Sequence, residues 1–286
     1  MSGAIKRYKN EGDRMKQDDT NPAISGTTVL FACIAHPVAH VRAPTIFNEA
    51  FAKAGQDAVM VPMDILPEGL SDWVSAMRAM PNFIGSAVTI PFKMPLAELC
   101  DTLGPVAQIT GAVNAVRFKN GQLIGDNFDG SGFVAGLLGQ GHNLADAKIL
   151  LIGAGGAARA IAYGLCQEPI DKLDVYNRTI TKADELVHAV LAHNPSAALS
   201  SVPTLRPEGY DIVINATSLG LSPDDAMPCD INAVSSHALI CDIIMVPAQT
   251  AWLKAAQERG LSCHYGRHML DYQIDLIAQF IGAKDI

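Results

Sequence analysis

The sequence predicts an α/β fold with two domains, and two patterns lead to that prediction. From Thr28 onward, apolar runs typical of buried strands alternate with longer stretches of helical periodicity, an arrangement that produces parallel sheets covered by helices. A second series of the same kind begins at Lys148 with KILLIGAGG, in which glycines and a helix follow a buried strand at once. That order is typical of a dinucleotide-binding turn.

The first half of the chain contains six predicted elements and a hairpin. In order, the elements are the strand TVLFACIA, the helix PTIFNEAFAKAG, the strand DAVMVPM, the helix EGLSDWVSAMRAM, the strand IGSAVTI and the short helix KMPLAELCDTLG. Pro44 and Gly55 delimit the first helix, because proline suits a first helical turn and glycine suits the residue after the last. The stretch AVNAVRFKNGQLIG predicts a hairpin, since Asn120 and Gly121 favour a tight two-residue turn.

The second half continues the alternation. After the strand at Lys148 we expect the helix AARAIAYGLCQ, the strand LDVYNRT, the helix ITKADELVHAVLAH, the strands DIVINATS and ALICDII, and the helices PAQTAWLKAAQERG and MLDYQIDLIAQFIG. We place a mobile tail at 1–25, because it lacks apolar periodicity and mixes both charge signs. The first α/β domain is expected at 26–128 and the dinucleotide-binding domain at 129–267, with the helix GSGFVAGLLGQ joining them. The C-terminal helix within 268–286 is expected to pack back on the first domain.

Composition excludes several functional classes. Hydrophobic residues make up 49% and charged residues 17%, and the net charge of −8 disfavours a nucleic-acid or anionic-membrane partner. No apolar run approaches the about 20 residues that a membrane-spanning helix needs. The six cysteines are scattered without a CxxC pair, so we expect buried thiols in a reducing compartment. The composition therefore predicts a soluble cytoplasmic protein, and we expect a monomer or homodimer with a small-molecule partner.

A cofactor is expected on the turn after the strand at Lys148. The residues of this turn are Gly153, Ala154, Gly155, Gly156 and Ala157. Glycine lets backbone N–H groups approach a diphosphate at a helix N-terminus. The next strand ends at Asn177, Arg178 and Thr179, with Lys182 one turn further on, and it lacks the acidic residue that an NAD site places there. Because the cations suit a 2′-phosphate, we predict NADP and leave NAD open as an alternative.

Three polar residues of the first half are ambiguous when each is taken singly. Lys93 follows a strand and a proline turn, which is usually a surface position. Asp129 suits the start of the helix that follows it, and Asn114 suits a turn. Each has an ordinary structural explanation, and only their combination indicates chemistry.

In order and spacing, the motifs together resemble the shikimate/quinate dehydrogenase family. The matching segments are HPVAHVRAP, VTIPFK, GAVNAV, GDNFDG, GAGGAARA, NRT, NATSLGL, DIIMVP and MLDYQ. They run from Ala35 to Gln273 and so cover nearly the whole chain after the tail. The resemblance implies an N-terminal substrate-binding α/β domain, a C-terminal Rossmann domain and an active site in the cleft between them.

The resemblance also implies roles for individual residues. The family's catalytic lysine and aspartate fall on Lys93 and Asp129. Its substrate contacts fall on Thr89, Asn114 and Gln273. Its cofactor contacts fall on the turn 153–157 and on Asn177, Arg178, Thr179, Lys182, Thr217 and Ser218. The pair Lys93 and Asp129 would then exchange the proton of a secondary alcohol while hydride moves to or from the nicotinamide. Lys182 replaces a more usual arginine, so a point charge stands in for a bidentate contact.

The chain departs from the family in its substrate loop. Val41 and Ala43 occupy the substrate-binding positions at which relatives present two serine hydroxyls to the substrate carboxylate, and neither side chain can donate a hydrogen bond. Further departures are Ala87, Phe128, Met245 and His268. Losing such hydrogen bonds costs several kcal/mol, roughly a thousandfold in affinity. We therefore predict a paralogue that oxidises another cyclic hydroxy acid or related compound, with shikimate and quinate as poor substrates.

Three alternatives remain at this stage. An authentic shikimate or quinate dehydrogenase would hold the carboxylate through Arg42 or His36. A non-catalytic dinucleotide-binding protein would keep the fold without the chemistry, although the retention of both Lys93 and Asp129 argues against it. The histidine pairs 36/40 and 264/268 suggest zinc only weakly, because neither pair has a cysteine or acidic partner at ligand spacing. We therefore predict no metal.

Overall fold

The computed structural model describes residues 24–39 and 41–283, so His40 and most of the predicted tail at 1–25 lie outside the described residues. Within these ranges the chain forms two six-stranded sheets, one from each half, and both sheets are flanked by helices. The predicted α/β fold class is confirmed.

The first sheet combines parallel and antiparallel strands. Its strands are β1 (Val29–Ala35), β2 (Ala58–Asp64), β3 (Phe83–Val88), β4 (Thr102–Leu103), β5 (Ala115–Lys119) and β6 (Gln122–Asp126). Its helices are α1 (Ala43–Ala54), α2 (Leu70–Arg78), α3 (Lys93–Leu99) and α4 (Pro105–Thr110). The spatial order of the strands is β2-β1-β3-β5-β6-β4. β1 is parallel to β2 and β3, whereas β5 is antiparallel to both β3 and β6.

The turn between β5 and β6 explains why these two strands of the sheet are antiparallel. Asn120 and Gly121 have φ of 53° and 76°, the left-handed values that a two-residue hairpin turn requires. The chain therefore reverses between β5 and β6, and the predicted hairpin is confirmed. Gly55 ends α1 at φ 64°, and its N–H donates to Ala52 and Phe51 carbonyls, as its position predicts.

Two short elements of the first half, β4 and α4, were not predicted from the sequence. One helix is predicted over KMPLAELCDTLG, but α3 ends at Leu99 because Cys100 is extended. Thr102 and Leu103 then pair with β6 as the two-residue strand β4, and α4 follows directly. Two residues cannot show a periodic pattern, so no sequence signal marks β4.

The second sheet is entirely parallel. Its strands are β7 (Lys148–Ile152), β8 (Lys172–Tyr176), β9 (Leu199–Val202), β10 (Ile212–Asn215), β11 (Leu239–Asp242) and β12 (Ser262–Tyr265). The remaining helices are α5 (Asp129–Gly139), α6 (Gly156–Leu165), α7 (Ile180–Leu191), α8 (Ala251–Glu258) and α9 (Arg267–Ile281). The order β12-β11-β10-β7-β8-β9 is that of a Rossmann fold, in which the strand order reverses between β7 and β10.

Two strands and one helix boundary of the second half differ from expectation. The four-residue strands β9 and β12 were not predicted, and both lie at the edges of the sheet. α8 begins at Ala251 and not at Pro247, because the Thr250 hydroxyl accepts a hydrogen bond from the Leu253 N–H and so caps the helix there.

The last helix returns to the first sheet. Ile277 and Ile281 of α9 are buried with Phe31 of β1 and Ala87 of β3. α9 also packs along α5, the helix that follows the hairpin. The carboxyl ends of β1 and β3, the start of α5 and the start of α9 therefore meet in one region of the molecule.

Candidate active site

A cavity of about 630 Å³ lies where these elements meet. Its lining contains every residue that was predicted to be catalytic or to contact substrate. These residues are Val41, Ala43, Thr89, Lys93, Asn114, Asp129 and Gln273. Ala157, from the predicted cofactor turn, lines the same cavity. The structure thus brings side chains from both halves of the chain to one site.

Lys93 and Asp129 form an ion pair inside this cavity. The distance from Lys93 Nζ to Asp129 Oδ2 is 2.8 Å, and the Asp129 side chain is 12% exposed. Lys93 is the first residue of α3 and Asp129 the first residue of α5. The two charged side chains therefore approach each other from the N-termini of two helices. A charged donor and acceptor at this distance can exchange a proton with a hydroxyl placed against them.

Asn114 connects the ion pair to the last helix. Its Nδ2 donates to Asp129 Oδ1 at 2.9 Å and to Gln273 Oε1 at 2.8 Å. Its Oδ1 accepts from the Phe128 N–H at 2.9 Å. Asn114 and Gln273 are 3% and 5% exposed. Both ends of the buried amide of Asn114 are therefore satisfied, which holds Asp129 and Gln273 in fixed orientations.

Backbone contacts place the two catalytic candidates. The Val113 N–H donates to the Lys93 carbonyl at 2.8 Å, which ties the start of α3 to the segment before β5. Asn127 Oδ1 accepts from the Asp129 N–H at 2.9 Å, and Asn127 Nδ2 donates to the Ala112 carbonyl at 3.2 Å. Asn127 thus supports Asp129 without lining the cavity, a positioning role that sequence analysis did not assign.

The substrate loop presents an apolar surface. Val41 and Ala43 line the cavity, and so does Arg42 between them. His36 does not line the cavity, because its Nδ1 lies 2.8 Å from Asp64 Oδ1 at the end of β2. This geometry therefore gives no support to the alternative in which His36 holds a carboxylate.

Two of the other departures from the family lie outside the cavity. Ala87 and Met245 line it, but the Phe128 ring packs on Phe280 at 5.1 Å. His268 is buried beside the backbone of α5 and not in the cavity lining. Packing directs the side chains of Phe128 and His268 away from the cavity, so these two departures do not contribute to its lining.

The glycine turn has the shape that a diphosphate requires. Gly153 has φ +119°, and a Cβ atom there would lie 2.7 Å from the Ala216 carbonyl oxygen, so only glycine fits. The positions above Gly155 and Gly156 face open space, and Gly155 is the N-cap of α6. Open space over the first N–H groups of a helix suits an anion.

The residues predicted to contact a 2′-phosphate lie beside this turn. Gly153 donates its N–H to the Tyr176 carbonyl at 2.8 Å, so the ends of β7 and β8 are adjacent. Arg178, Thr179 and Lys182 are exposed there. Thr179 is the N-cap of α7, but its side chain makes no capping hydrogen bond. Its carbonyl accepts a hydrogen bond from Asn177 Nδ2.

A buried polar network connects the carboxyl ends of β10 and β11. Thr217 and Ser218 follow β10, and the Thr217 hydroxyl donates to Asn215 Oδ1 at 2.7 Å. Asn215 Nδ2 donates to Asp242 Oδ1 at 3.1 Å, and the Thr250 hydroxyl donates to Asp242 Oδ2 at 2.8 Å. Burial raises the pKa of Asp242. The segments NATS and CDII contain these polar residues. The sequence does not show that Asn215 and Asp242 bond to each other, because that contact depends on β10 and β11 being neighbours in the sheet.

Arg267 is a cavity residue that the sequence did not single out. It is exposed at the start of α9 and contributes to the cavity lining. Cys33 also lines the cavity, and burial raises the pKa of its thiol to about 12, so it contributes apolar surface and not a nucleophile. All six cysteines are free thiols.

Among residues 24–39 and 41–283, no group of three or more His, Cys, Asp or Glu side chains is placed to hold a metal ion. The ring centroids of His264 and His268 lie 5.0 Å apart with the rings tilted by 38°, in a cluster that does not line the cavity. In the same described ranges, no helix combines the length and apolar character that crossing a membrane requires.

Comparison with known proteins agrees with this architecture. A sequence model of the shikimate dehydrogenase substrate binding domain matches residues 33–116, and one of shikimate / quinate 5-dehydrogenase matches residues 137–244. A shikimate dehydrogenase (NADP(+)) of Bacillus cereus (strain G9842) is 38% identical over 247 residues, which cover 85% of this chain and 89% of that protein.

Solved structures show the same two-domain fold. Shikimate 5-dehydrogenase of Listeria monocytogenes, in complex with shikimate and NAD, superposes with a TM-score of 0.82 at 29% identity, covering 94% of this chain and 96% of that one. The ligand-free 5-ketofructose reductase of Gluconobacter sp. strain CHM43 gives a TM-score of 0.78 at 30% identity, covering 91% of this chain and 94% of that one.

The Rossmann sheet, its glycine turn and the adjoining cavity with its Lys93–Asp129 ion pair define a dinucleotide-dependent dehydrogenase built from two α/β units. The chain belongs to the shikimate/quinate dehydrogenase family. The resemblance inferred from its sequence motifs is confirmed.

Proposed function

We propose that this protein is an NADP-dependent dehydrogenase that interconverts a secondary alcohol and a ketone on a cyclic hydroxy acid or a related compound. The observation that carries the proposal is the Lys93–Asp129 ion pair at 2.8 Å, placed in a cavity that also reaches Ala157 of the glycine turn. Residues 26–128 would bind substrate and residues 129–267 the cofactor, with the C-terminal helix completing the substrate site.

The residues of the site fit this chemistry. NADP, when bound at the turn 153–157, supplies the acceptor for the hydride that leaves the alcohol carbon. In that direction the Lys93–Asp129 pair takes up the hydroxyl proton. In the reverse direction the Lys93 ammonium donates a proton to the ketone oxygen, and the Asp129 carboxylate stabilises the ammonium. Asn114 and Gln273 keep the pair oriented toward the reacting oxygen.

Substrate choice follows from the apolar loop. Val41 and Ala43 line the cavity without a hydrogen-bond donor in either side chain. We therefore propose that shikimate and quinate are poor substrates and that the protein is a paralogue with a different substrate. The similarity to a structure named 5-ketofructose reductase supports a family member with an altered substrate.

Exposed Arg178 supports NADP as the preferred cofactor, because a guanidinium suits a 2′-phosphate. Replacing Arg178 with alanine is expected to raise the KM for NADP⁺ about tenfold and leave the KM for NAD⁺ within about twofold. Steady-state kinetics with both cofactors measures this. Equal changes for the two cofactors would contradict the assignment. Arg206→Ala, an exposed arginine in another loop, is the control.

The dehydrogenase proposal is tested by following NADPH formation with a panel of hydroxylated cyclic acids and related alcohols that includes shikimate and quinate. At least one compound is expected to exceed shikimate in kcat/KM. Lys93→Met and Asp129→Asn are expected to lower kcat about a hundredfold or more while NADPH binding, followed by fluorescence, stays unchanged. The proposal fails if no compound turns over, which would favour a non-catalytic dinucleotide-binding protein.

One observation favours a second candidate, an authentic shikimate dehydrogenase. Arg42 lines the cavity and could take over a carboxylate, and the Bacillus cereus relative is named shikimate dehydrogenase. In that case shikimate would be the best substrate of the panel, and Arg42→Ala would abolish its turnover.

The free cysteines and the composition support action in a reducing compartment such as the cytoplasm, as a monomer or homodimer.

A further inference from the structure

The cavity contains more positive charge than the proposed reaction uses. Lys93 and Asp129 neutralise each other, whereas Arg42 and Arg267 also line the cavity. Among the residues described, neither arginine has a carboxylate within 4.0 Å. The protein as a whole has a net charge of −8, whereas the two arginines add positive charge that no ion pair among the described residues neutralises at this cavity. They make this cavity locally attractive to an anion.

The two arginines reach the cavity from different parts of the fold. Arg42 is the N-cap residue of α1, and Arg267 is the first residue of α9. α1 and α9 are held on the same face of the first sheet, because Phe47 and Ile277 belong to one buried cluster. Neither helix has an acidic residue in its first turn. Asp271, one turn further along α9, is the nearest carboxylate to Arg267 in the chain order of that helix, but it does not lie within 4.0 Å of the guanidinium.

The position of Arg267 is supported by its neighbours. Its guanidinium carbon lies 5.9 Å from the centroid of the Tyr265 ring, within the range of a cation–π contact. The Tyr265 hydroxyl accepts a hydrogen bond from Gln257 Nε2 at 2.5 Å. A guanidinium that rests on a ring loses less conformational entropy when it binds a planar anion. Arg267 is thus partly pre-organised for a ligand.

We propose that Arg42 and Arg267 form an anion subsite that recognises a carboxylate or phosphate group on the substrate. The proposal rests on the proposed function, because it takes this cavity as the substrate site. A guanidinium can donate two parallel N–H bonds to either group, which the side chains of Val41 and Ala43 cannot do. The substrate class is then an anionic hydroxy or keto compound other than shikimate and quinate, whose charged group meets the arginines and not the side chains at positions 41 and 43, with its reacting carbon toward Lys93.

The test is calorimetric titration of the NADP⁺-loaded protein with three probes of similar shape. Cyclohexanecarboxylate and cyclohexyl phosphate carry the two candidate anions, and cyclohexanecarboxamide is their neutral counterpart. The variants are Arg42→Leu, Arg267→Leu and the double variant. Arg206→Leu is the matched control, since Arg206 is exposed and does not line the cavity.

At least one anionic probe is expected to bind about tenfold or more tightly than the amide, and the tighter anion identifies carboxylate or phosphate as the natural group. Each single variant is expected to weaken that anion about tenfold. Binding of the amide and binding by Arg206→Leu are expected to stay unchanged.

The proposal is overturned if the anions bind no better than the amide, or if the double variant binds them as the wild type does. It is also overturned if the double variant loses NADPH affinity to the same extent, because the arginines would then serve the cofactor. These readouts measure binding, so a failure of every compound to turn over would refute the proposed dehydrogenase function without affecting this result.

Discussion

At the scale of single residues, Asn114 decides the geometry of the site. Its side chain bonds to Asp129, Gln273 and the Phe128 N–H at once. These partners lie on or next to two different helices, and Asn114 itself directly precedes β5. A hydrophobic residue of similar volume would leave all three partners buried without this contact. The residue therefore couples the stability of the fold to the orientation of the catalytic candidates.

Asn114→Ala is expected to lower the free energy of unfolding by about 2 to 4 kcal/mol, because buried polar groups lose their partner. kcat/KM should fall with it, since Asp129 and Gln273 lose a shared donor. Urea denaturation measures the stability change. Asn232→Ala, an exposed asparagine, is expected to change stability by less than about 0.5 kcal/mol. Equal effects of the two substitutions would contradict the role given to Asn114.

At the scale of secondary-structure elements, the glycines of α5 allow the helices to meet. A Cβ at Gly130 would lie 1.9 Å from the Ala160 carbonyl oxygen of α6. A Cβ at Gly132 would lie 2.6 Å from both Gln273 Cβ and the Met269 carbonyl oxygen of α9. Glycine costs about 1 kcal/mol inside a helix relative to alanine. Here the close approach of α6 and α9 outweighs that cost and brings Gln273 next to Asn114.

Gly132→Ala is accordingly expected to destabilise the protein by about 2 kcal/mol or more, although alanine favours helix formation. Activity should fall as well, because α9 must shift and Gln273 with it. Ser131→Ala, on the same helix and half-buried, is the control and is expected to stay within about 0.5 kcal/mol. Thermal and urea denaturation of both variants test this. A Gly132→Ala protein as stable as wild type would refute the packing argument.

A second element-scale feature is the histidine cluster between β12, α5 and α9. His264 is 1% exposed, and neither ring nitrogen has a hydrogen-bond partner among the described residues. Its ring faces Phe133 and His142 at 5.6 Å and His268 at 5.0 Å. Burial, with smaller contributions from His268 and His142, lowers the pKa of His264 to about 3. Arg267 and Asp271 are the charged groups that act on His268.

The lowered pKa predicts acid sensitivity. Because the folded pKa of His264 lies below the unfolded value of 6.5, its contribution to stability is complete above pH 6.5 and is lost as the pH falls toward 3. Between pH 7 and pH 4.5 the loss is on the order of 2 to 3 kcal/mol. Urea denaturation across this range measures it. His264→Phe is expected to reduce the pH dependence by that amount, whereas exposed His188→Gln should not. Equal pH dependence of wild type and His264→Phe would contradict the prediction.

At the scale of the whole molecule, α9 joins the two sheets. It follows β12 of the second sheet, yet Ile281 is fully buried against the first. A Cβ at Gly85 of β3 would lie 2.8 Å from the Ile281 side chain, so the last turn of the helix presses directly on that strand. The two sheets therefore share a buried element and are expected to unfold together.

Ile281→Ala tests this coupling. The cavity that it creates is expected to cost about 2 to 4 kcal/mol. The fluorescence of each tryptophan reports the unfolding of one sheet, because Trp73 lies in the core of the first sheet and Trp252 in the core of the second. In Trp73→Phe and Trp252→Phe backgrounds, both fluorescence transitions should shift to the same lower midpoint. Exposed Leu221→Ala should shift neither. A shift confined to Trp73 would show that the sheets unfold independently.

Sequence patterns were sufficient for the long elements, because periodicity and caps act within one segment. Gly55 ends α1 and Asn120-Gly121 makes the hairpin turn through local backbone preferences alone. The strands β4, β9 and β12 have only two or four residues and owe their conformation to neighbouring strands. Their existence could not be predicted from local signals.

Residue type and order were enough to predict the fold class, the glycine turn and the cavity residues that belong to the motifs. The packing of separate elements placed His36 against Asp64, outside the cavity lining, and placed Arg267 in that lining together with Arg42. The same packing lets Asn215 of β10 donate a hydrogen bond to Asp242 of β11. Each of these contacts joins residues on different elements, and their distance is set by helix and strand packing that no local pattern encodes.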